Sequence, residues 1–155
     1  MAGPSKLQNG KGIALMKLNS DCIRAVMLKL EDMLSMEFDD RHHMFMRSVR
    51  LEELCEAVPR FSPEDVFYSL HNLEQAGYVE LTTQYADGGI LMYCYVDDIT
   101  FLGHEFLNRI RDAKHWTTIK ACLAKVQDYS LSAISSIAEG VTKAAMDKYL
   151  GSMPL

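Results

Sequence analysis

The stretch SPEDVFYSLHNLEQAGYVELTTQYADGGILMYCYV, residues 62–96, decides the fold class of this chain. Ser62 followed by Pro63 and two acids predicts the start of a helix, because serine caps orphan N–H groups and proline suits the first helical position. Gly77 ends that helix. Two β-prone runs then flank the turn sequence ADGG, and this pattern is typical of a β-hairpin. The runs are residues 78–85 and 90–96.

Upstream of this stretch, the apolar spacing predicts two more helices and a short strand. Asn19 caps the first helix, and Pro59 stops the second. Segment 37–43 is polar and is predicted to be a loop, whereas segment 44–49 is predicted to be a strand. Apolar residues recur at i, i+3, i+4 and i+7 in both helices, which indicates one buried stripe on each. The stripes are Ile23, Val26, Met27, Leu30 and Leu34 in the first helix, and Leu51, Leu54, Cys55 and Val58 in the second.

Three helices, an early strand and a hairpin straight after the third helix follow the winged-helix order. In this order the hairpin, here residues 78–96, is the wing. The predicted fold class is therefore α+β, mainly helical, with a winged-helix-type core at 16–98 and a helical extension at 99–155. The extension is expected to hold three helices: one from Thr100 through Asp112, one that buries Trp116, and one over 130–150. Residues 1–15 show no helical period, and we expect a disordered leader or a remnant of cloning there.

Three segments of the chain resemble one known family. They are MKLNSDCIR (16–24), LEQAGYVE (73–80) and ITFLGHEFLNRIRDAKHW (99–116). The family is a bacterial and phage-encoded domain-of-unknown-function family, whose members open with MKLN-x-DCIR and carry T-x-x-GHEFL-x-x-IRD. The resemblance covers residues 16–151, implies a phage or prophage setting, and brings no catalytic residues to carry over.

Two glycines in predicted helices suggest close packing. Gly103 lies inside the GHEFL motif, and we expect it to let its helix lie close on a neighbouring surface. Gly140 lies inside the last helix, where glycine costs about 1 kcal/mol relative to alanine. A close helix contact or a bend is therefore expected at Gly140.

The charge pattern argues against the DNA binding that a winged helix invites. A DNA reader places Lys and Arg of its third helix and wing against phosphates. Residues 66–98 contain no Lys or Arg and five acidic side chains. Residues 16–98 hold 7 basic and 16 acidic residues, a net charge of −9, whereas 99–155 hold 7 basic and 5 acidic, a net charge of +2. A non-enzymatic protein-interaction or dimerisation module is thus the favoured function, and a DNA-binding regulator of a mobile element is the alternative.

The candidate interaction surface combines the outward face of the third helix with the aromatic wing. Both wing faces carry apolar or aromatic residues, and Tyr and Met are enriched at protein interfaces. Packing of the C-terminal helices onto the second wing face is the competing explanation. We expect self-association, as a homodimer, through the wing or the C-terminal helices. The candidate residues are Tyr68, Asn72, Gln75, Tyr85, Tyr93 and Tyr95.

The sequence predicts no catalytic, cofactor-binding or metal-binding residues. The acidic pairs at 39–40 and 97–98 are adjacent, and neighbouring side chains point apart in a helix or a strand. His104 and Glu105 form the best polar pair, yet one such pair is weak evidence for catalysis. The four cysteines are widely spaced, which favours reduced core thiols over a zinc site. No apolar run approaches the roughly 20 residues that span a bilayer, so we expect a cytoplasmic protein that does not bind membranes.

Overall fold

The computed structural model describes residues 6–8, 11–13 and 16–154. Within them the chain forms an α+β fold of six helices and small antiparallel sheets, which confirms the predicted mainly helical α+β class. No described helix has both the length and the apolar character needed to cross a membrane. The helices are α1 (Ser20–Met33), α2 (Leu51–Ala57), α3 (Pro63–Gln75), α4 (Phe101–Ile110), α5 (Ala113–Val126) and α6 (Leu131–Gly151).

Capping side chains set where several helices begin. The side chains of Asn19, Ser62 and Thr100 each accept a hydrogen bond from a backbone N–H of the first turn, as the sequence predicts. The helix predicted from Thr100 through Asp112 is shorter than expected and ends at Ile110. Asp112 caps α5 instead, accepting hydrogen bonds from two backbone N–H groups at 2.8 and 3.0 Å.

The strands form three separate antiparallel sheets. They are β1 (Lys6–Gln8), β2 (Lys11–Ile13), β3 (Ser35–Phe38), β4 (Met44–Arg47), β5 (Val49–Arg50), β6 (Val79–Ala86) and β7 (Ile90–Ile99). β1 pairs with β2, and β3 pairs with β4. The third sheet has the order β5-β7-β6, so that β7 is its central strand. The predicted hairpin is confirmed as β6 and β7, which are joined by a short 3-10 turn at Asp87–Gly89.

The region between α1 and α2 differs from the prediction. Segment 37–43 is not all loop, because its first two residues complete β3. The single strand predicted at 44–49 is interrupted at Ser48, whose hydroxyl donates to Asp97 at 2.7 Å, before β5 pairs with β7. Asp39 organises the connecting turn by accepting hydrogen bonds from two backbone N–H groups. Such a side-chain-capped turn leaves no trace in apolar spacing, so a polar segment was predicted as a loop.

The predicted disordered leader at residues 1–15 lies in large part outside the described residues. Positions 1–5, 9–10 and 14–15 belong to that part, and the prediction of disorder stays a prediction. At the described positions, β1 and β2 pair antiparallel with Lys6 opposite Ile13.

One hydrophobic core includes residues from α1 through α6. Arg24 of α1 connects this helix to the end of α4, because its guanidinium donates to the carbonyl oxygens of Ile110 and Arg111 at 2.8 and 2.6 Å. The indole N–H of Trp116 in α5 donates to Asp21 of α1 at 2.9 Å. These contacts place α4 and α5 against α1, and α6 packs in turn on α4 and α5.

The two helical glycines behave differently. A Cβ added to Gly103 would overlap the carbonyl oxygen of Tyr78 and would lie 2.8 Å from Cγ2 of Ile99. The predicted close approach at Gly103 is therefore confirmed. Of the two alternatives predicted at Gly140, the close contact is wrong, because a Cβ added there meets no described atom within 4 Å, and the bend stays a prediction.

Candidate interaction surfaces

The outward face of α3 holds three of the residues predicted to form an interaction surface. Tyr68 and Asn72 are half-buried, and the Asn72 amide donates to the Tyr68 carbonyl oxygen at 2.9 Å. Gln75 is exposed near the end of the helix. Glu64 and Glu74 are also exposed on α3, whose sequence contains no Lys or Arg. This face therefore presents carboxylates to a partner, and no cations.

The end of the β6–β7 hairpin carries the other predicted residues. Tyr85 and Tyr93 are 45% and 43% exposed, and Ile90 and Met92 beside them are exposed as well. Tyr95 is half-buried, and its ring meets that of Tyr93 edge-on with centroids 5.5 Å apart. The C-terminal helices leave these side chains open, so the expectation that they cover the second hairpin face is wrong here.

The hairpin of β3 and β4 exposes an apolar surface that sequence reasoning missed. Met36 lies opposite Met46 and Phe38 opposite Met44, and opposed residues of an antiparallel pair point to the same face. All four side chains are between 45% and 65% exposed. We call this face the hairpin patch. The available signals were the alternation of apolar residues in SMEF and the apolar run that opens MFMR, which the polar residues between the strands obscured.

A cleft of about 240 Å³ lies at the base of the hairpin patch. Met36 and Met46 contribute to its wall together with Asp98 of β7 and His104 of α4. In the described part of the chain, the Asp98 carboxylate takes part in no hydrogen bond or ion pair. The neighbouring Asp97 accepts two hydrogen bonds from hydroxyl groups. The two adjacent acids therefore differ. The Asp97 carboxylate is bound to hydroxyl groups within the fold, whereas the Asp98 carboxylate is available to a partner.

The other carboxylate and the guanidinium at this cleft are paired. Arg111 binds Glu31 through two parallel hydrogen bonds of 2.6 and 2.7 Å, and these bonds lower the pKa of Glu31. A guanidinium nitrogen of Arg47 lies 3.2 Å from a carboxylate oxygen of Glu53. The charge left without a counter-ion among the described residues of the cleft is thus the carboxylate of Asp98.

The C-terminal end of α6 carries a second apolar face. Met146, Tyr149 and Leu150 follow the spacing i, i+3 and i+4 and so share one side of α6, and Met153 lies two residues past the helix end. These four side chains are between 47% and 66% exposed, and we call them the α6 stripe. Three of them, Met146, Tyr149 and Leu150, line a groove of about 320 Å³ together with His115 of α5. The first half of α6 is instead buried, at Leu131, Ile134 and Ala138.

The residues considered for catalysis occupy ordinary structural positions. Asp39 caps the β3–β4 turn, and the backbone hydrogen bond from His43 lowers the pKa of its carboxyl. His104 and Glu105 are both exposed. A carboxylate oxygen of Glu105 lies 3.7 Å from a guanidinium nitrogen of Arg109 in the same helix. Over residues 16–154 no three His, Cys, Asp or Glu side chains are grouped so that they could hold a metal ion.

All four cysteines are free thiols. Cys22 and Cys94 are buried, and burial raises the pKa of Cys22 to about 11 and that of Cys94 to about 12. Cys55 and Cys122 are half-buried. The expectation of reduced core thiols is confirmed for Cys22 and Cys94.

The fold and these surfaces define a mainly helical α+β protein with clustered apolar side chains on a hairpin and at the end of its last helix. A family model described as "Hypothetical protein (DUF2513)" matches residues 17–130, and the chain belongs to that family. This confirms the expected membership of a domain-of-unknown-function family. An "Uncharacterized protein" of Haemophilus influenzae is 28% identical over 127 residues, which cover 81% of this chain and 95% of that relative. No solved structure matches the chain.

Proposed function

We propose that this chain is a winged-helix protein that acts as a non-enzymatic interaction module and associates with a second copy of itself. The order α1, β5, α2, α3, β6 and β7, with β7 between β5 and β6, supports the winged-helix assignment. The proposal includes a cytoplasmic location and the phage or prophage setting that the family resemblance implies.

The α6 stripe is the observation that carries the self-association. Helices owe most of their stability to burial of an apolar face, and the first half of α6 obtains this burial within its own chain. The second half continues with three large exposed apolar side chains, Met146, Tyr149 and Leu150, and Met153 beyond the helix end is exposed as well. Covering a side chain such as Leu or Met contributes roughly 1.5–3 kcal/mol relative to leaving it exposed. Clustered exposed side chains of this kind mark interaction sites.

Light scattering coupled to size-exclusion chromatography tests this proposal. Over a concentration series, the unaltered chain should shift toward twice the monomer mass, and the double variant Tyr149→Ser, Leu150→Ser should remain monomeric. Met92→Ser removes a comparably exposed side chain from the β6–β7 hairpin, so this control should associate like the unaltered chain. A monomer at the highest concentration reached by the unaltered chain would contradict self-association.

A DNA-binding regulator is the alternative, and the charges of α3 and of the β6–β7 hairpin disfavour it. Residues 66–98 offer no cation to phosphate, and the exposed side chains of α3 include Glu64 and Glu74. Fluorescence anisotropy with labelled duplex DNA, titrated at low and moderate salt, should therefore show no binding. Tight binding at low salt that weakens steeply as salt is added would favour the regulator instead.

A further inference from the structure

We infer that the α6 stripe of one copy docks on the hairpin patch of a second copy. This inference rests on the proposed self-association and names the two surfaces that meet. Both surfaces belong to the described part of the chain, and both are left uncovered by it.

The hairpin patch has a structural need for a covering helix. An isolated two-stranded hairpin is marginally stable in water, and packing against a helix is one of the ways in which it becomes stable. Among the described residues β3 and β4 form a two-stranded sheet, of which β4 also contacts β7, and the four apolar side chains of their shared face remain exposed. Three of these four are methionines, whose flexible side chains adapt well to an incoming surface.

The two surfaces match in length. On each strand the patch residues are two positions apart, as Met36 and Phe38 are, which is about 7 Å at ~3.3 Å per residue. Within α6, Met146 and Leu150 are four positions apart, about 6 Å at a helical rise of ~1.5 Å per residue. The helical part of the stripe therefore matches the patch in length.

Charge favours this pairing over pairing of the hairpin patch with itself. The cleft at the base of the hairpin patch holds the carboxylate of Asp98, which has no partner among the described residues, in a region, 16–98, with 7 basic and 16 acidic residues. Lys143 lies one helical turn before Met146, and among the described residues its ammonium group forms no ion pair. Two hairpin patches face to face would bring like charges together, whereas a stripe brings a cation toward Asp98.

A two-fold dimer satisfies both contacts at once. The stripe of each copy then covers the hairpin patch of the other, so that residue i contacts residue j and j contacts i, as closed symmetry requires. This reciprocal arrangement predicts that two differently damaged chains can still associate, because a mixed dimer keeps one contact intact.

The test uses one charged substitution on each surface of the full chain. Met46→Glu damages the hairpin patch, and Leu150→Glu damages the α6 stripe. Each variant alone should weaken self-association by about tenfold or more, since a buried charge replaces an apolar anchor. An equimolar mixture, with one variant fluorescently labelled, should form mixed dimers with an affinity between that of the unaltered chain and that of either variant. Met92→Glu, on the β6–β7 hairpin, should leave association unchanged.

Three results would overturn the inference. Dissociation by Leu150→Glu but not by Met46→Glu would mean that the stripe pairs with itself, in which case self-association stands and only this pairing fails. Loss of association in both variants without recovery in the mixture would exclude reciprocal docking. Unchanged dimers in both variants would place the interface elsewhere. Recovery in the mixture also shows that both variants are folded, because a misfolded chain could not supply its intact surface.

Discussion

Replacing Gly103 by alanine should destabilise the fold by about 2–4 kcal/mol, although alanine is the better helix former. Gly103 lies in the first turn of α4, where the helix crosses close to the chain that leads into β6. The added methyl group would occupy space that the backbone of Tyr78 already fills. Backbone atoms cannot move aside as a flexible side chain can, so α4 itself has to shift.

The magnitude follows from the contacts at this crossing. The methyl group would overlap the carbonyl oxygen of Tyr78 and lie 2.8 Å from Ile99, and such overpacking costs about 1–3 kcal/mol. A shift of α4 also weakens the hydrogen bonds from Thr100 to the carbonyl oxygens of Tyr78 and Gly77, each worth about 1 kcal/mol. The gain in helix propensity offsets only about 1 kcal/mol of this loss.

Urea unfolding followed by circular dichroism, at one fixed protein concentration, measures the loss in free energy of unfolding caused by Gly103→Ala. A loss of this size corresponds to a fall in Tm of roughly 5–15 °C for a chain of this length. Gly140→Ala is the matched control, since no described atom lies within 4 Å of its added Cβ, and it should raise the free energy of unfolding by up to about 1 kcal/mol. If Gly103→Ala proved as stable as the unaltered chain, the close approach of α4 to the residues before β6 would be refuted.

Three further predictions follow from contacts within the core. Arg24→Lys should lower the free energy of unfolding by about 1–2 kcal/mol in the same assay, because an ammonium cannot serve both carbonyl oxygens at the end of α4. Desolvation raises the pKa of Asp21, but hydrogen bonds from α5 outweigh it and lower the pKa below its usual value. Its stabilising contribution should therefore be complete above about pH 4 and be lost as the pH falls through the folded-state pKa, and Asp21→Asn should flatten this part of a stability–pH curve. Burial raises the pKa of the Cys22 and Cys94 thiols, so a thiol reagent at pH 8 should modify them only after unfolding, whereas early labelling would show that they are accessible.

Local chemistry made several elements predictable without a structure. Ser62 and Pro63 define the start of α3 because capping and a fixed backbone angle act within one helical turn. The turn sequence ADGG likewise predicts where β6 and β7 are connected, because this local turn needs residues with positive φ angles and its two glycines adopt them. Gly103 was predicted to permit a close approach, although the surface that it approaches, the backbone of Tyr78, became known only from the fold.

The candidate surfaces were less predictable, because exposure depends on which elements pack together. Tyr149 continues the apolar seam of α6, and the sequence cannot show that α4 and α5 cover the first half of this seam and leave the second half open. The paired strands β3 and β4 were missed for a related reason. Their apolar residues are separated by a polar turn that a side-chain carboxylate organises, at Asp39.

The sequence by itself determined the helix caps, the buried stripes, the β6–β7 hairpin and the excess of acidic residues over 16–98. Each of these depends on residues within a few positions of one another, or on composition alone. Only the tertiary structure decided that the hairpin patch stays exposed, that Asp98 has no counter-ion among the described residues where Asp97 has hydrogen-bond partners, and that the second half of α6 leaves its apolar side chains exposed. These properties arise from contacts between residues far apart in the chain, and neither spacing nor charge count contains that information.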